Sequence, residues 1–147
     1  MKKEKLLMSV INVLALCIIT FFVSIFFIYE AKLIGYVLVA LAVLCVASLK
    51  LFNIKIFTIG PDVVFGVIDN GILAVMAVIG GEIAGVAGAV VGGVVGNAIT
   101  DGIAGIFEGY WAESLVSDKR TVLGSAVGKM AGCLLGAGVV LAIASFF

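Results

Sequence analysis

The chain has 147 residues, of which 64% are hydrophobic and only 12% charged. An ordinary soluble domain carries about 25% charged residues, so this chain lacks the polar side chains to cover a soluble fold. Nine basic and nine acidic residues leave no net charge, and no basic cluster with interleaved aromatics is present, which excludes nucleic acid as a partner.

A membrane span needs ~20 apolar residues, and five segments approach that length. The first, 6–28, follows Lys2, Lys3 and Lys5. It exceeds the ~7–15 apolar residues of a signal-peptide core and has no small-residue cleavage site after it, so it is read as a retained span. The second, 33–49, is equally bulky and almost uncharged. The third, 63–81, opens behind Gly60-Pro61, where proline's missing N–H costs nothing, and Asp62 suits the positive end of the helix dipole. Gly80-Gly81-Glu82 marks the expected turn into the fourth, 83–110. The paired glycines Gly92-Gly93 leave open a broken or re-entrant form of that span. A polar loop from Glu113 to Thr121 leads to the fifth, 122–147. The fold class is therefore an all-α, polytopic membrane protein of about five transmembrane helices in one membrane domain, with glycine-rich core helices.

The Lys/Arg bias sets the expected orientation. With a cytoplasmic N-terminus, Lys2, Lys3, Lys5, Lys50, Lys55, Lys119 and Arg120 fall inside and only Lys32 outside, which fits the positive-inside rule and an odd number of spans. The C-terminus then faces out of an inner or plasma membrane.

Glycine is concentrated in the last three segments. Gly124, Gly128, Gly132 and Gly136 form one stripe, and Gly88, Gly92 and Gly96 another, with Gly85, Ala89 and Gly93 beside it. Lipid tails are as apolar as Leu, so membrane helices associate where small residues let backbones approach. The stripes predict close helix contact, within the chain or between chains. Gly35, outside both, is expected to tolerate a large side chain better than Gly128 or Gly132.

The same segments carry intramembrane polar residues: Asp69 and Asn70 in the third, Asn97, Thr100, Asp101 and Glu108 in the fourth, Lys129 in the fifth. Ionised groups at bilayer depth cost at least ~2.5–3.5 kcal/mol and mark bundle interiors or wet cavities. At 1.5 Å per residue, Asp69, Asp101 and Lys129 each lie ~10–13 Å from the cytoplasmic boundary. Asp62, Gly66 and Asp69 share a helix face, as do Asn97, Asp101 and Glu108. His, the commonest metal ligand and general base, is absent. Cys17, Cys45 and Cys133 lie far apart in apolar runs and read as small apolar fillers. Oxygen donors alone suit hard cations or protons. The expected ligands are Asp69, Asn97, Thr100 and Asp101, with Glu108 and Glu113 at the cytoplasmic mouth and Lys129 as internal counter-ion. No nucleophile–base pair is visible, so no enzyme is expected, and no tightly bound cofactor.

Two stretches carry a family likeness. Asp69-Asn70-Gly71-Ile72-Leu73 resembles the Asp-Gly-Leu opening of the first span in the vacuolar iron transporter family. The run from Asn97 to Tyr110 is similar to that family's Glu…Ser-Met…Gly-Glu-Tyr segment. The likeness covers residues 69–113 and implies a five-helix metal exporter acting as a dimer. Departures are clear: the family's intramembrane Glu falls on Asn97, its Ser-Met pair on Ala104-Gly105, and its cytoplasmic Glu-rich helices have no counterpart in the short loop after Glu113. The expected function is passage of a cation (Fe, Mn or Mg, or H⁺ or Na⁺) by a lipid-embedded homo-oligomer, a dimer or higher. The rival is a structural protein packed by its glycine stripes into a larger complex.

Overall fold

The computed structural model describes residues 3–114 and 121–146; within α-helices, the side chains of residues 31, 104, 105 and 107–114 fall outside the description. All the regular structure described is helical. Helix α1 spans Lys3–Phe27 and α2 Ala31–Ser48, followed by two 3-10 turns, Leu49–Phe52 and Ile56–Ile59. Helix α3 covers Gly60–Ser114 and α4 Val122–Ala144. The first, second and last expected segments each coincide with a helix to within a turn.

Helix boundaries follow local chemistry. Asn53 closes the first 3-10 turn in the left-handed region at φ 55°, which Asn tolerates better than most residues. Pro61 sits in the first turn of α3, where an N–H would have no intrahelical partner. Thr121 caps α4, its side-chain oxygen accepting the Gly124 N–H at 3.0 Å.

The break in α3 lies later than expected. Only Ala84 and Gly85 leave helical geometry, Gly85 at φ 58°, ψ −139°, a combination essentially confined to glycine. They divide α3 into a first arm, 60–83, and a second arm, 86–114. Gly80 and Gly81 stay helical, and Gly80 faces the carbonyl of Gly88, where a Cβ would clash. The glycine pair serves contact, and the turn falls to the next glycine along. The second arm runs unbroken through Gly92-Gly93.

The two arms fold back antiparallel: Gly88 packs on Gly80, Gly92 on Met76, Gly96 on Leu73. Helix α4 lies parallel to the first arm, with Gly124 against Ile59, Gly128 against Ile59 and Asp62, Gly132 against Val63 and Gly66, and Gly136 against Val67. Both stripes are thus occupied within the chain. Gly35 of α2 meets the backbone of Gly138 and Ala142 in α4, so the expectation that it tolerates a large residue is wrong. One glycine on a bulky helix was enough to seat that helix on a small-residue stretch.

The core clusters near one end, where Leu16, Cys45, Leu49, Ile59, Leu123, Val127 and Ala131 meet. The start of α1, both 3-10 turns and the start of α4 share that end. Helices long and apolar enough to cross a membrane are Lys3–Phe27, Lys32–Phe52, Ile56–Ile103 and Val122–Ala144. Their outer faces are apolar, with Phe21, Phe22 and Phe26 of α1 exposed.

Candidate functional site

The face of the first arm that bears Asp62, Gly66 and Asp69 turns into the bundle. Gly66 brings it against the backbone of Lys129 and Cys133 in α4. Asp62, one turn before Gly66, is only 1% exposed. The Ser125 hydroxyl of α4 donates to its Oδ2 at 3.1 Å. The dipole reading of Asp62 missed this burial. A signal was present in Ser125, one turn before Lys129 on the α4 face that meets the first arm.

Asp69 lies two turns further along, ~10 Å from Asp62 at 1.5 Å per residue. Its partner is Thr100 of the second arm, which is fully buried. The Thr100 hydroxyl lies 2.6 Å from Asp69 Oδ1, 3.0 Å from the Gly96 carbonyl and 3.0 Å from the Asn97 carbonyl. Asn70 Nδ2 donates to Asp69 Oδ2 at 3.2 Å. The contact of the arms at Gly96 and Leu73 sets this geometry, because it lets the short Thr side chain reach across.

The second arm presents a different face outward. Asn97 Nδ2 donates to Asp101 Oδ2 at 2.9 Å, one turn apart on an exposed surface. Asp69 and Asp101 therefore do not converge within one chain; Thr100, ~100° round the helix from Asp101, takes the inward position. Lys129 Nζ lies 4.4 Å from the centre of the Phe65 ring, within cation–π range. The side chains of Glu108 and Glu113 lie outside the described residues.

Chemically, the structure brings together one carboxylate, one carboxamide and one hydroxyl at Asp69, with a second carboxylate–hydroxyl pair at Asp62. Among the described residues, no three His, Cys, Asp or Glu side chains gather into a group that could hold a metal ion. Carboxylate and hydroxyl oxygens are the donor type that hard cations take.

No family model matches the chain, and neither does any curated protein or solved structure. Its function is read from its own residues.

Proposed function

We propose that the chain is a polytopic membrane protein of five spans, with α3 crossing twice, that passes a cation or proton through a site centred on Asp69. The observation that carries this reading is the set of donors around that carboxylate. A buried acid kept only to fix helix register is best offset by an opposite charge. Asp69 is half-buried and is instead held by two neutral groups, Thr100 and Asn70, so its charge is left for a mobile cation.

Asn97 and Asp101 complete the proposal from the outer face. In a bilayer an exposed carboxylate–carboxamide pair needs polar cover, and a second copy of the chain supplies it in a dimer or higher oligomer. Lys3, Lys5, Lys50 and Lys55 lie at one end of the bundle and Lys32 at the other, which favours a cytoplasmic location for the lysine-rich end. Glu108 and Glu113 then form the cytoplasmic mouth. The likeness of residues 69–113 to iron transporters favours a divalent metal over Na⁺. The rival, assembly into a larger complex through glycine stripes, is weakened because both stripes are occupied inside the chain.

The test is flux in reconstituted vesicles. Asp69→Asn keeps the size and an acceptor for Thr100 while removing the charge. It is expected to abolish uptake of Fe²⁺, Mn²⁺, Mg²⁺, Na⁺ or H⁺, whichever the wild type carries, and to leave the helical circular-dichroism spectrum unchanged. Unaltered flux in the variant, or no flux of any of these in the wild type, overturns the reading.

A further inference from the structure

The first arm of α3 and helix α4 run parallel, and their contacts fix a register. Lys129 lies over the Phe65 ring, and Gly66 meets the backbone of Lys129 and Cys133. Four residues further along each helix, one turn in the same direction, Asp69 comes level with Cys133. The Cys133 thiol stands beside the Asn70 side chain and within the electrostatic reach of Asp69 and Lys129. Asn70 is also the residue whose Nδ2 donates to Asp69 Oδ2. One carboxamide thus has the carboxylate and the sulfur as neighbours, and all three residues are half-buried. Cys45 shows what a filler cysteine looks like in this chain, packed with Leu16, Leu49 and Val127 in the apolar core. Cys133 has polar company instead, which the role of apolar filler does not explain.

We propose that Cys133 is a specificity-determining residue of the Asp69 site, giving it one sulfur donor and with it a preference for thiophilic divalent cations over Mg²⁺ and Na⁺. The proposal rests on the reading of Asp69 as a cation site, and not on flux through it. Thiolate is a soft ligand that favours zinc-like metals, whereas Mg²⁺ takes oxygen and keeps its water. The other donors are the Asp69 carboxylate, the Thr100 hydroxyl on its Oδ1, and Asn70 on its Oδ2. A carboxamide carries an acceptor oxygen as well as its NH₂ group, so Asn70 offers oxygen to a cation by turning over. The thiol loses its proton to water as the sulfur–metal bond forms, and no oxidant or reductant is needed. The site so described differs from one of oxygen alone by a single atom, the sulfur that α4 delivers.

The test uses the full chain with Cys17→Ala and Cys45→Ala, which leaves Cys133 as its only thiol. The protein is titrated in detergent with Cd²⁺ in excess Mg²⁺, and the thiolate-to-cadmium charge-transfer band is read in the ultraviolet. A saturable band is expected, and Cys133→Ser should erase it. Asp69→Asn should weaken Cd²⁺ binding at least about tenfold, since losing a ligand costs no less than losing a group that supports one. If the background chain loses its helical circular dichroism, the same band is read as the difference between wild type and Cys133→Ser. No band, or equal Cd²⁺ affinity with and without the Asp69 carboxylate, overturns the sulfur site, and cation flux that persists in that case leaves the transport reading standing. A band that needs both residues, in a chain that passes no cation through vesicles, upholds the sulfur site and overturns transport instead.

Discussion

Helices α1 and α4 are close in length, at 25 and 23 residues, and both are strongly apolar, yet α1 buries one residue, Leu16, and α4 buries eight. Five of those eight are glycines. Under the membrane placement proposed above, the difference shows what selects an interior helix when the solvent is itself apolar. Hydrophobicity cannot distinguish the two, because lipid satisfies Phe22 as well as a protein core would. Side-chain size can. Where α4 lacks side chains, the backbones of α2 and the first arm of α3 come to it; where α1 carries Phe and Ile, neighbours stay away.

The sharpest way to break this comparison is to give α4 a side chain where it has none. Gly132→Leu drives atoms into the Val63 carbonyl, and Gly35→Leu drives them into the backbone of Ala142. Backbone cannot rotate aside as a side chain does, so each is expected to cost about 3 kcal/mol or more, the upper end of ordinary overpacking. Unfolding in mixed detergent micelles measures the loss. Wild-type stability in either variant would show that the helices are free to separate.

A middle-sized effect tests whether the α3–α4 contact also depends on polar groups. Ser125→Ala removes a donor from a carboxylate that is 1% exposed. The expected loss is about 1.5–3 kcal/mol, the range for hydrogen bonds to charged groups, and Ser125→Thr should recover most of it. At the small end, Phe22→Ala, on a residue 65% exposed in α1, should shift stability in the same assay by no more than about 0.5 kcal/mol. A loss as large as that at Ser125 would mean that α1 is seated on a surface of its own.

The sequence disclosed the helices more readily than their facing. Long apolar runs and polar loops located α1, α2 and α4 to within a turn, because hydropathy acts over many residues and tolerates local error. The α3 break was misplaced because glycine serves both tight turns and close contacts, and only backbone geometry separates Gly85 from Gly80. Asp69 and Thr100 both stood out as polar residues inside long apolar runs, but their pairing did not. Depth along a helix follows from residue number, whereas rotation about it follows from packing, and ~100° separates Thr100 facing Asp69 from Asp101 facing outward. The burial of Asp62 was missed because its contacts with Gly128 and Ser125 depend on how α4 packs on the first arm, although the face it shares with Gly66 and Asp69 pointed inward.

Thr100 has one hydroxyl hydrogen and three oxygens within reach: Asp69 Oδ1, the Gly96 carbonyl and the Asn97 carbonyl. A carboxylate is the strongest acceptor of the three, so the hydrogen points across to the first arm. Under the passage proposed above, a proton or cation on that oxygen would turn the hydrogen back to its own helix. A threonine bonded to a carbonyl one turn earlier bends the helix that carries it. On that reading, the occupancy of one carboxylate would be written into the curvature of the second arm, whose outer surface carries Asn97 and Asp101.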